Sequence, residues 1–255
     1  MILNAGSIHF FMAGKGGIGK TLSSLIFAQI LMRLGRNVDC FDVDPLNASL
    51  ASYKALDAEQ IDLTKDGKID SQKLDELVVR ILASHHDCII DNGTSSFLSF
   101  LNYLIENDVL TILNDEGRNV FVHIVVTGGP PMQDTITGFE SLITQIPKFC
   151  KVIVWINEFY GEPVVYGEPE DDGKPVRIDM EDLALFAAFS DQIVAFIRIK
   201  ERSKETFGRD FSHMLERHLT FDEAIDSPEF SLMSRQRLTM IRRHIQEQIE
   251  ELINE

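Results

Sequence analysis

Residues 8–21 read IHFFMAGKGGIGKT and join a short apolar run to four closely spaced glycines. The apolar run predicts a buried strand, and a helical pattern begins where the glycines end. Residues 14–21 fit the pattern G-x-x-x-x-G-K-[ST], in which glycines let backbone N–H groups turn toward a phosphate. The N-terminus of the following helix adds a partial positive charge. The sequence therefore predicts a phosphate-binding loop between a strand and a helix.

The residue types in this loop indicate a nucleoside triphosphate and a magnesium ion. We expect Lys20 to contact the β- and γ-phosphates and the Thr21 hydroxyl to bind Mg²⁺. ATP is the expected nucleotide. The residues expected to line it here are Gly14, Lys15, Gly16, Gly17, Ile18, Gly19, Lys20, Thr21 and Leu22.

Beyond the loop, short apolar runs alternate with helical patterns along the chain. Strands are predicted at 8–13, 38–43, 88–90, 121–126, 152–156 and 193–199. Helices are predicted at 20–34, 71–83, 95–113 with a break near Asn107, 132–146, 202–217 and 228–253. This alternation implies right-handed crossovers and parallel strands. We therefore predict an α/β fold: a single P-loop NTPase domain over 1–255, with a mostly parallel twisted sheet and helices on both faces.

The composition is that of a globular protein and argues against two kinds of partner. The 255 residues are 44% hydrophobic and 25% charged, with a formal net charge of −16. A chain this acidic repels DNA and anionic lipid, so direct DNA binding is not expected. No uncharged apolar stretch reaches the roughly 18 residues of a membrane span. Three cysteines without C-x-x-C spacing are expected as buried thiols in a reducing compartment, the cytoplasm.

Polar residues follow several of the predicted strands. Asp42-Val43-Asp44-Pro45 ends one strand, Asp91 ends another, and Asn157 follows a third. In α/β sheets ligands bind beyond the carboxyl ends of the strands. These residues are therefore the candidates for completing the nucleotide site.

Lys15 makes the loop more specific, because an ordinary phosphate loop needs no lysine after its first glycine. The run Lys15-Gly16-Gly17-Ile18-Gly19-Lys20-Thr21 resembles the deviant Walker A motif, K-G-G-x-G-K-[ST], of the ParA/MinD/nitrogenase-iron-protein family. That resemblance implies a nucleotide-sandwich homodimer in which Lys15 reaches the phosphates of the partner. Such a cation can offset charge on the transferred phosphoryl group.

The same resemblance assigns roles to the strand-end residues. Asp44, in D-x-D-P, would activate the attacking water and contact the magnesium shell. Asp91 would hold the metal through water, as a Walker B aspartate does. Asn157 would hydrogen-bond adenine. The sequence departs from the family at Leu22, where a second hydroxyl is common, and at Asn92-Gly93 after the Walker B aspartate.

The last 100 residues carry no comparable motif. Residues 158–180 are rich in Gly, Pro and acidic residues and are expected to form a hairpin insertion with a solvated tip at Glu168-Pro169-Glu170-Asp171-Asp172-Gly173. Residues 202–255 are expected to form C-terminal helices. In the last of these, apolar residues recur every three or four positions, and its acidic end disfavours anionic lipid. We expect this helix to pack on the domain or on a protein partner.

Two classes of function fit these features. The first is an Mg²⁺-dependent ATPase switch that dimerises with ATP, hydrolyses it slowly and acts on an unidentified protein partner. The second is a metabolic ligase or kinase similar to dethiobiotin synthetase or cobyrinic-acid amidase. A GTPase is not expected, since Glu158 and Tyr160 stand where N-K-x-D requires lysine and aspartate. A nitrogenase-type reductase is not expected either, because the family resemblance would place both cluster-ligating cysteines between Asp91 and Pro131, and residues 92–130 contain none.

A narrower resemblance suggests where the switch would act. Residues 44–55, together with Ile90-Asp91-Asn92-Gly93, resemble the TraL-type ATPases of conjugative plasmids. This would imply a role in plasmid conjugative DNA transfer or partition, with the DNA-transfer machinery as partner.

Overall fold

Seven parallel strands form the central sheet of the computed structural model, which describes residues 2–44, 49–65, 68–169 and 175–254. In chain order the strands are β1 (Ile8–Met12), β2 (Val38–Asp42), β3 (Glu59–Gln60), β4 (Thr64–Lys65), β5 (Lys68–Ile69), β6 (Asp87–Asp91), β7 (Val120–Thr127), β8 (Lys151–Asn157), β9 (Val164–Pro169), β10 (Pro175–Asp179) and β11 (Ile193–Ile199). The central sheet has the order β11-β8-β7-β1-β6-β2-β3, and β4–β5 and β9–β10 pair separately as antiparallel ribbons.

Helices connect the strands and cover both faces of the sheet. Those in the described ranges are α1 (Lys20–Arg33), α2 (Ser71–Ala83), α3 (Phe97–Glu106), α4 (Val109–Asp115), α5 (Met132–Ile143), α6 (Ala184–Ala187), α7 (Arg209–Glu216), α8 (Phe221–Asp226) and α9 (Leu232–Asn254). A π-helical turn, Lys204–Gly208, precedes α7. The predicted fold class, a mostly parallel α/β sheet covered on both faces, is confirmed.

Two apolar cores lie on opposite faces of the sheet because successive strand residues point in opposite directions. Phe10 belongs to the core under α2–α5, whereas Phe11 belongs to the core under α1 and α7–α9. All five residues of β1 are buried, as expected for a central parallel strand. Five apolar residues of α9 are buried in the second core: Leu238, Ile241, Ile245, Ile249 and Leu252. Of the two alternatives expected for this helix, the domain or a protein partner, the structure shows packing on the domain.

Some element boundaries differ from those predicted. The helix expected at 95–113 is divided into α3 and α4, and Asp108 at the break has a φ of 50°. This agrees with a break near Asn107. The helix expected at 202–217 begins as the π-helical turn. The short α8 was not predicted, nor was the two-residue edge strand β3.

The segment expected as a hairpin contains β9 and β10, which pair in antiparallel fashion. Four of the six residues of its expected acidic tip, 170–173, lie outside the described residues. Among the helices of the described ranges, none combines the length and apolar character needed to cross a lipid bilayer.

Candidate nucleotide site

The glycine-rich loop connects β1 to α1 and approaches the end of β8. Gly17 and Gly19 have φ angles of 76° and 101°, a region that residues with a β-carbon rarely adopt. A β-carbon on Gly19 would also lie only 2.6 Å from Asn157 Nδ2. Glycine at these positions therefore allows the loop to turn tightly beside the neighbouring strand end.

Lys20 extends from the first turn of α1 to the end of β6. Its Nζ lies 2.5 Å from Asp91 Oδ1 and 3.5 Å from Thr21 Oγ1. The Lys20 and Asp91 side chains are only 8% and 1% exposed. Because β1 and β6 are parallel neighbours, the sheet presents Asp91 directly to the helix that follows β1. The fold thus brings Lys20, Thr21 and Asp91 together.

The end of β2 contributes two aspartates in different surroundings. Asp42 is buried and accepts hydrogen bonds from the backbone N–H groups of Asp44 at 3.2 Å and Ala51 at 2.9 Å. Burial raises the pKa of Asp42 above its ordinary value, and these N–H groups oppose that shift. Asp44 lies against the loop after β6, since a β-carbon on Gly93 would come within 2.5 Å of Asp44 Cγ. Pro45, the last residue of D-x-D-P, lies outside the described residues.

Lys15 lies at the surface beside the phosphate loop. Its ammonium forms an ion pair with Asp134 on α5, and the two side chains are 45% and 61% exposed. An exposed pair of this kind contributes about 0–1 kcal/mol to stability. Lys15 is therefore held only weakly by its own chain.

Asn157, at the end of β8, joins the phosphate loop to the segment that follows. Its Nδ2 donates to the Ile18 carbonyl at 2.9 Å, and its Oδ1 accepts from the Phe159 N–H at 3.1 Å. The Tyr160 hydroxyl donates to the Gly17 carbonyl at 2.6 Å. Asn157, the last residue of β8, and Tyr160, in the turn after it, thus hold the loop from one side.

The segment 158–162 is itself fixed on two further sides. Glu158 accepts from Arg198 Nη1 at 2.6 Å and from the Glu201 N–H at 2.9 Å. On the other side, Gly161 packs so closely on the turn after β7 that a β-carbon on Gly128 would lie 2.1 Å from the Gly161 carbonyl oxygen. These contacts fix the position of residues 158–162 beside the phosphate loop.

A cavity of about 300 Å³ opens next to Gly17 and Gly19. This volume is at the lower end of the range for small-molecule sites. Its polar and charged side chains are Asn157, Tyr160, Lys200, Glu201, Arg202, Lys204, Ser212 and His244. Most of its lining is apolar or aromatic and includes Leu22, Phe159, Phe207, Phe211, Ile241 and Ile245.

Sequence reasoning located the strand ends and the loop but missed their long-range partners. Lys20 contacts Thr21 and Asp91, and Asp44 lies at the adjacent strand end, while the phosphate and metal roles of these residues stay predictions. Asp134 and Tyr160, which touch the loop, were not predicted. They lie 119 and 143 residues from their partners, and no local pattern marks them.

Comparison with known proteins shows that the amino-acid sequence matches a family of nucleotide-binding proteins. The CobQ/CobB/MinD/ParA nucleotide binding domain matches residues 9–201. Two proteins named TraL from Escherichia coli are each 38% identical to the chain over 243 residues, which cover 95% of this chain and 97% of theirs. The narrower resemblance to TraL-type proteins is therefore confirmed.

Solved structures agree on the fold. The cell division ATPase MinD of Pyrococcus furiosus has a TM-score of 0.55 at 15% identity, covering 97% of this chain and 99% of that one. MinD of Aquifex aeolicus has a TM-score of 0.50 at 16% identity, covering 94% and 97%. At such identities the likeness concerns the fold alone.

Proposed function

The chain belongs to the CobQ/CobB/MinD/ParA nucleotide-binding family, and we propose that it is a Mg²⁺-dependent ATPase switch that forms a homodimer around ATP. One observation carries the proposal. The Lys20 ammonium lies between the Thr21 hydroxyl and the buried Asp91 carboxylate, at the N-terminus of α1. A cationic pocket at a helix N-terminus beside glycine N–H groups suits a polyphosphate.

The oxygen donors at this point also suit Mg²⁺. This ion prefers hydroxyl, carboxylate and phosphate oxygens and is usually held by one or two protein groups together with the substrate. Within the described residues, no group of three or more His, Cys, Asp or Glu side chains could hold a metal by itself. Thr21, Asp91 and Asp44 are thus proposed to hold Mg²⁺ jointly with the phosphates, where the ion would neutralise phosphate charge.

The reaction would be attack of water on the γ-phosphorus with loss of ADP. Lys20 would exchange its carboxylate partner for the β- and γ-phosphates, and Asp44 would orient the water and accept its proton. Lys15 would leave Asp134 and reach the phosphates of the second subunit. Because an exposed ion pair contributes little to stability, separating Lys15 from Asp134 would cost little free energy.

The partner and the pathway that we propose rest on the relatives rather than on the site. The similarity to TraL proteins supports a role in plasmid conjugative transfer or partition, with a protein of the DNA-transfer machinery as partner. The net charge of −16 supports contact with a protein over direct contact with DNA.

Light scattering coupled to size-exclusion chromatography tests the switch. Asp44→Ala should block hydrolysis and trap the ATP–Mg²⁺ form, so the mass should rise from one chain of 28.9 kDa to two. ADP should leave the variant monomeric. Asp115→Ala, which replaces an exposed aspartate at the end of α4, serves as the matched control and should dimerise only transiently. A variant that binds ATP–Mg²⁺ yet stays monomeric would contradict the proposal.

One observation favours the metabolic alternative. A second cavity of about 300 Å³ is lined by Lys15, Asp134, Thr137 and Ser141 beside the phosphate loop, where a ligase would need its second substrate. The two functions differ in basal ATPase activity. A switch hydrolyses ATP without a small co-substrate, whereas a ligase would require a small carboxylic acid or amide.

A further inference from the structure

The last helix, α9, has apolar side chains on the face that points away from the core as well as on the core face. Leu232, Met233 and Met240 are 76%, 58% and 42% exposed, whereas Leu238 is buried. Gln236 lies three residues after Met233 and four before Met240, so these side chains follow one another along one face of the helix. We call this surface, with Leu232 at its start, the outer stripe. Single exposed apolar residues are common, but a contiguous exposed apolar patch is a feature of interaction sites.

The charges around the outer stripe are positive, although the whole chain is strongly negative. Residues 232–243 contain four arginines and no acidic residue, in a chain whose net charge is −16. Arg237 and Arg242 form ion pairs with carboxylates of α7 and α8. Arg235 and Arg243 have no ion-pair partner among the described residues. The first half of α9 therefore offers cations to a negatively charged partner.

Three kinds of negatively charged surface are available to such a helix, and they differ in apolar character. Nucleic acid is bound through strongly basic, polar interfaces, and its phosphates offer no contact to exposed leucine and methionine side chains. Anionic lipid is repelled by the second half of α9, where Glu247, Glu250 and Glu251 follow the arginines. An amphipathic protein helix can present apolar side chains flanked by carboxylates, and methionine adapts its shape to such a partner.

We propose that the outer stripe of α9 docks an acidic amphipathic helix of the protein partner. The apolar side chains of that helix pack on Leu232, Met233 and Met240, and its carboxylates pair with Arg243 and Arg235. A stripe of about three turns suits a transient contact more than a permanent one. The inference rests on the proposed function only in that the switch has a protein partner.

Fluorescence anisotropy with two synthetic helical peptides tests the charge preference on the full chain. Both peptides carry leucines three and four residues apart, and the flanking positions are glutamate in one peptide and lysine in the other. The net charge of −16 favours the lysine peptide, so binding of the glutamate peptide requires a local positive surface. We expect the glutamate peptide to bind, more weakly as salt rises from about 50 to 300 mM. No binding of the glutamate peptide would overturn the inference.

Charge reversal in the outer stripe localises the contact. Arg243→Glu should weaken the glutamate peptide by about tenfold, because it replaces an attraction with a repulsion. Lys148→Glu, at an exposed lysine outside α9, makes the same change in net charge. This matched control should leave the affinity within about twofold, since salt screens distant charges.

Loss of an apolar side chain tests the other half of the contact. Met240→Ser should weaken the glutamate peptide by about fivefold to twentyfold, because it removes apolar area from the interface. Leu98→Ser, at a leucine of α3 that is 67% exposed, is the matched control and should leave the affinity unchanged. Since Arg243 and Met240 are both exposed, neither change disturbs the core. A peptide affinity that neither variant lowers would place the contact elsewhere and overturn the inference.

Two further probes separate a protein helix from the other negatively charged surfaces. Duplex DNA and vesicles of phosphatidylglycerol should not bind the chain. Binding of either probe that Arg243→Glu abolishes would overturn the inference. The proposed ATP-dependent dimer uses Lys15 and not the outer stripe. A chain that dimerises with ATP–Mg²⁺ but does not bind the glutamate peptide would therefore contradict this inference alone, whereas peptide binding without dimerisation would contradict only the proposed switch.

Discussion

Trp155 sets the direction of a buried hydrogen-bond chain in the core under α1. Its indole N–H can only donate, so His123 Nδ1 must accept at 2.9 Å. The other nitrogen of His123 therefore carries the proton and donates to His9 Nδ1 at 2.9 Å. His9 Nε2 is left with a proton and no partner among the described residues. A further proton on either ring would break one of these contacts.

The buried hydrogen bonds among Trp155, His123 and His9 predict that acid lowers the stability of the folded protein. Burial lowers the pKa of His9 and of His123 well below 6.5, with the His9–His123 interaction adding to the shift for His9. Below pH 6.5 the unfolded chain binds protons that the folded chain does not. The contribution of the two histidines to the free energy of unfolding is therefore fully present above that pH and falls as the pH decreases. Between pH 7 and 5.5 the two rings should together lower the free energy of unfolding by about 2.5 kcal/mol.

Urea denaturation at these two pH values measures the effect. His9→Phe removes one of the two rings and should reduce the loss by about 1.2 kcal/mol. His85→Gln, at an exposed histidine, should retain the wild-type loss. An unchanged pH dependence in His9→Phe would show that the buried pair does not control it. Neither histidine stands out in the sequence, because a lone histidine in an apolar strand has the same local pattern whether or not a second one faces it.

At the scale of elements, Gly128 in the turn after β7 and Gly138 inside the following helix α5 have opposite environments. A β-carbon on Gly138, inside α5, would meet nothing within 4 Å, whereas one on Gly128 would lie 2.1 Å from the Gly161 carbonyl oxygen. Glycine inside a helix costs about 1 kcal/mol relative to alanine.

Gly138→Ala should therefore raise the melting temperature by about 2–4 °C, as a gain of about 1 kcal/mol does for a chain of this size. Gly128→Ala should lower it, because backbone atoms must move apart. Thermal melts of both variants, followed by circular dichroism, provide the comparison. A lower melting temperature for Gly138→Ala would mean that the space beside α5 is needed in the folded chain.

How far sequence predicts each element depends on where its signal lies. The loop at 14–21 and the apolar strands have local patterns, and they were placed correctly. The short α8 also has a local signal, the capping box between Thr220 and Glu223, which an assignment based on apolar periodicity overlooks. By contrast, β3 has two exposed residues and depends on pairing with β2. The contact of Tyr160 with Gly17 likewise depends on the position of the segment after β8.

At the scale of the whole molecule, the proposed dimerisation would bring two chains of charge −16 together. Like charges oppose such an approach, and a cation at the interface would be needed where the phosphates add further negative charge. Of the two lysines in the loop, Lys15 is exposed beside Asp134, whereas Lys20 is buried. The proposed dimer therefore depends on Lys15 much more than the fold does.

Lys15→Ala should separate folding from association. The lost ion pair is exposed, so the free energy of unfolding should change by less than about 1 kcal/mol. ADP should still bind, since Lys20, Thr21 and the loop backbone are intact. In the Asp44→Ala background, however, ATP–Mg²⁺ should no longer double the mass measured by light scattering. Lys148→Ala, at an exposed lysine before β8, should leave dimerisation intact. Dimers that persist without Lys15 would show that the cation acts within its own subunit, and the loop would then be a complete site in one chain.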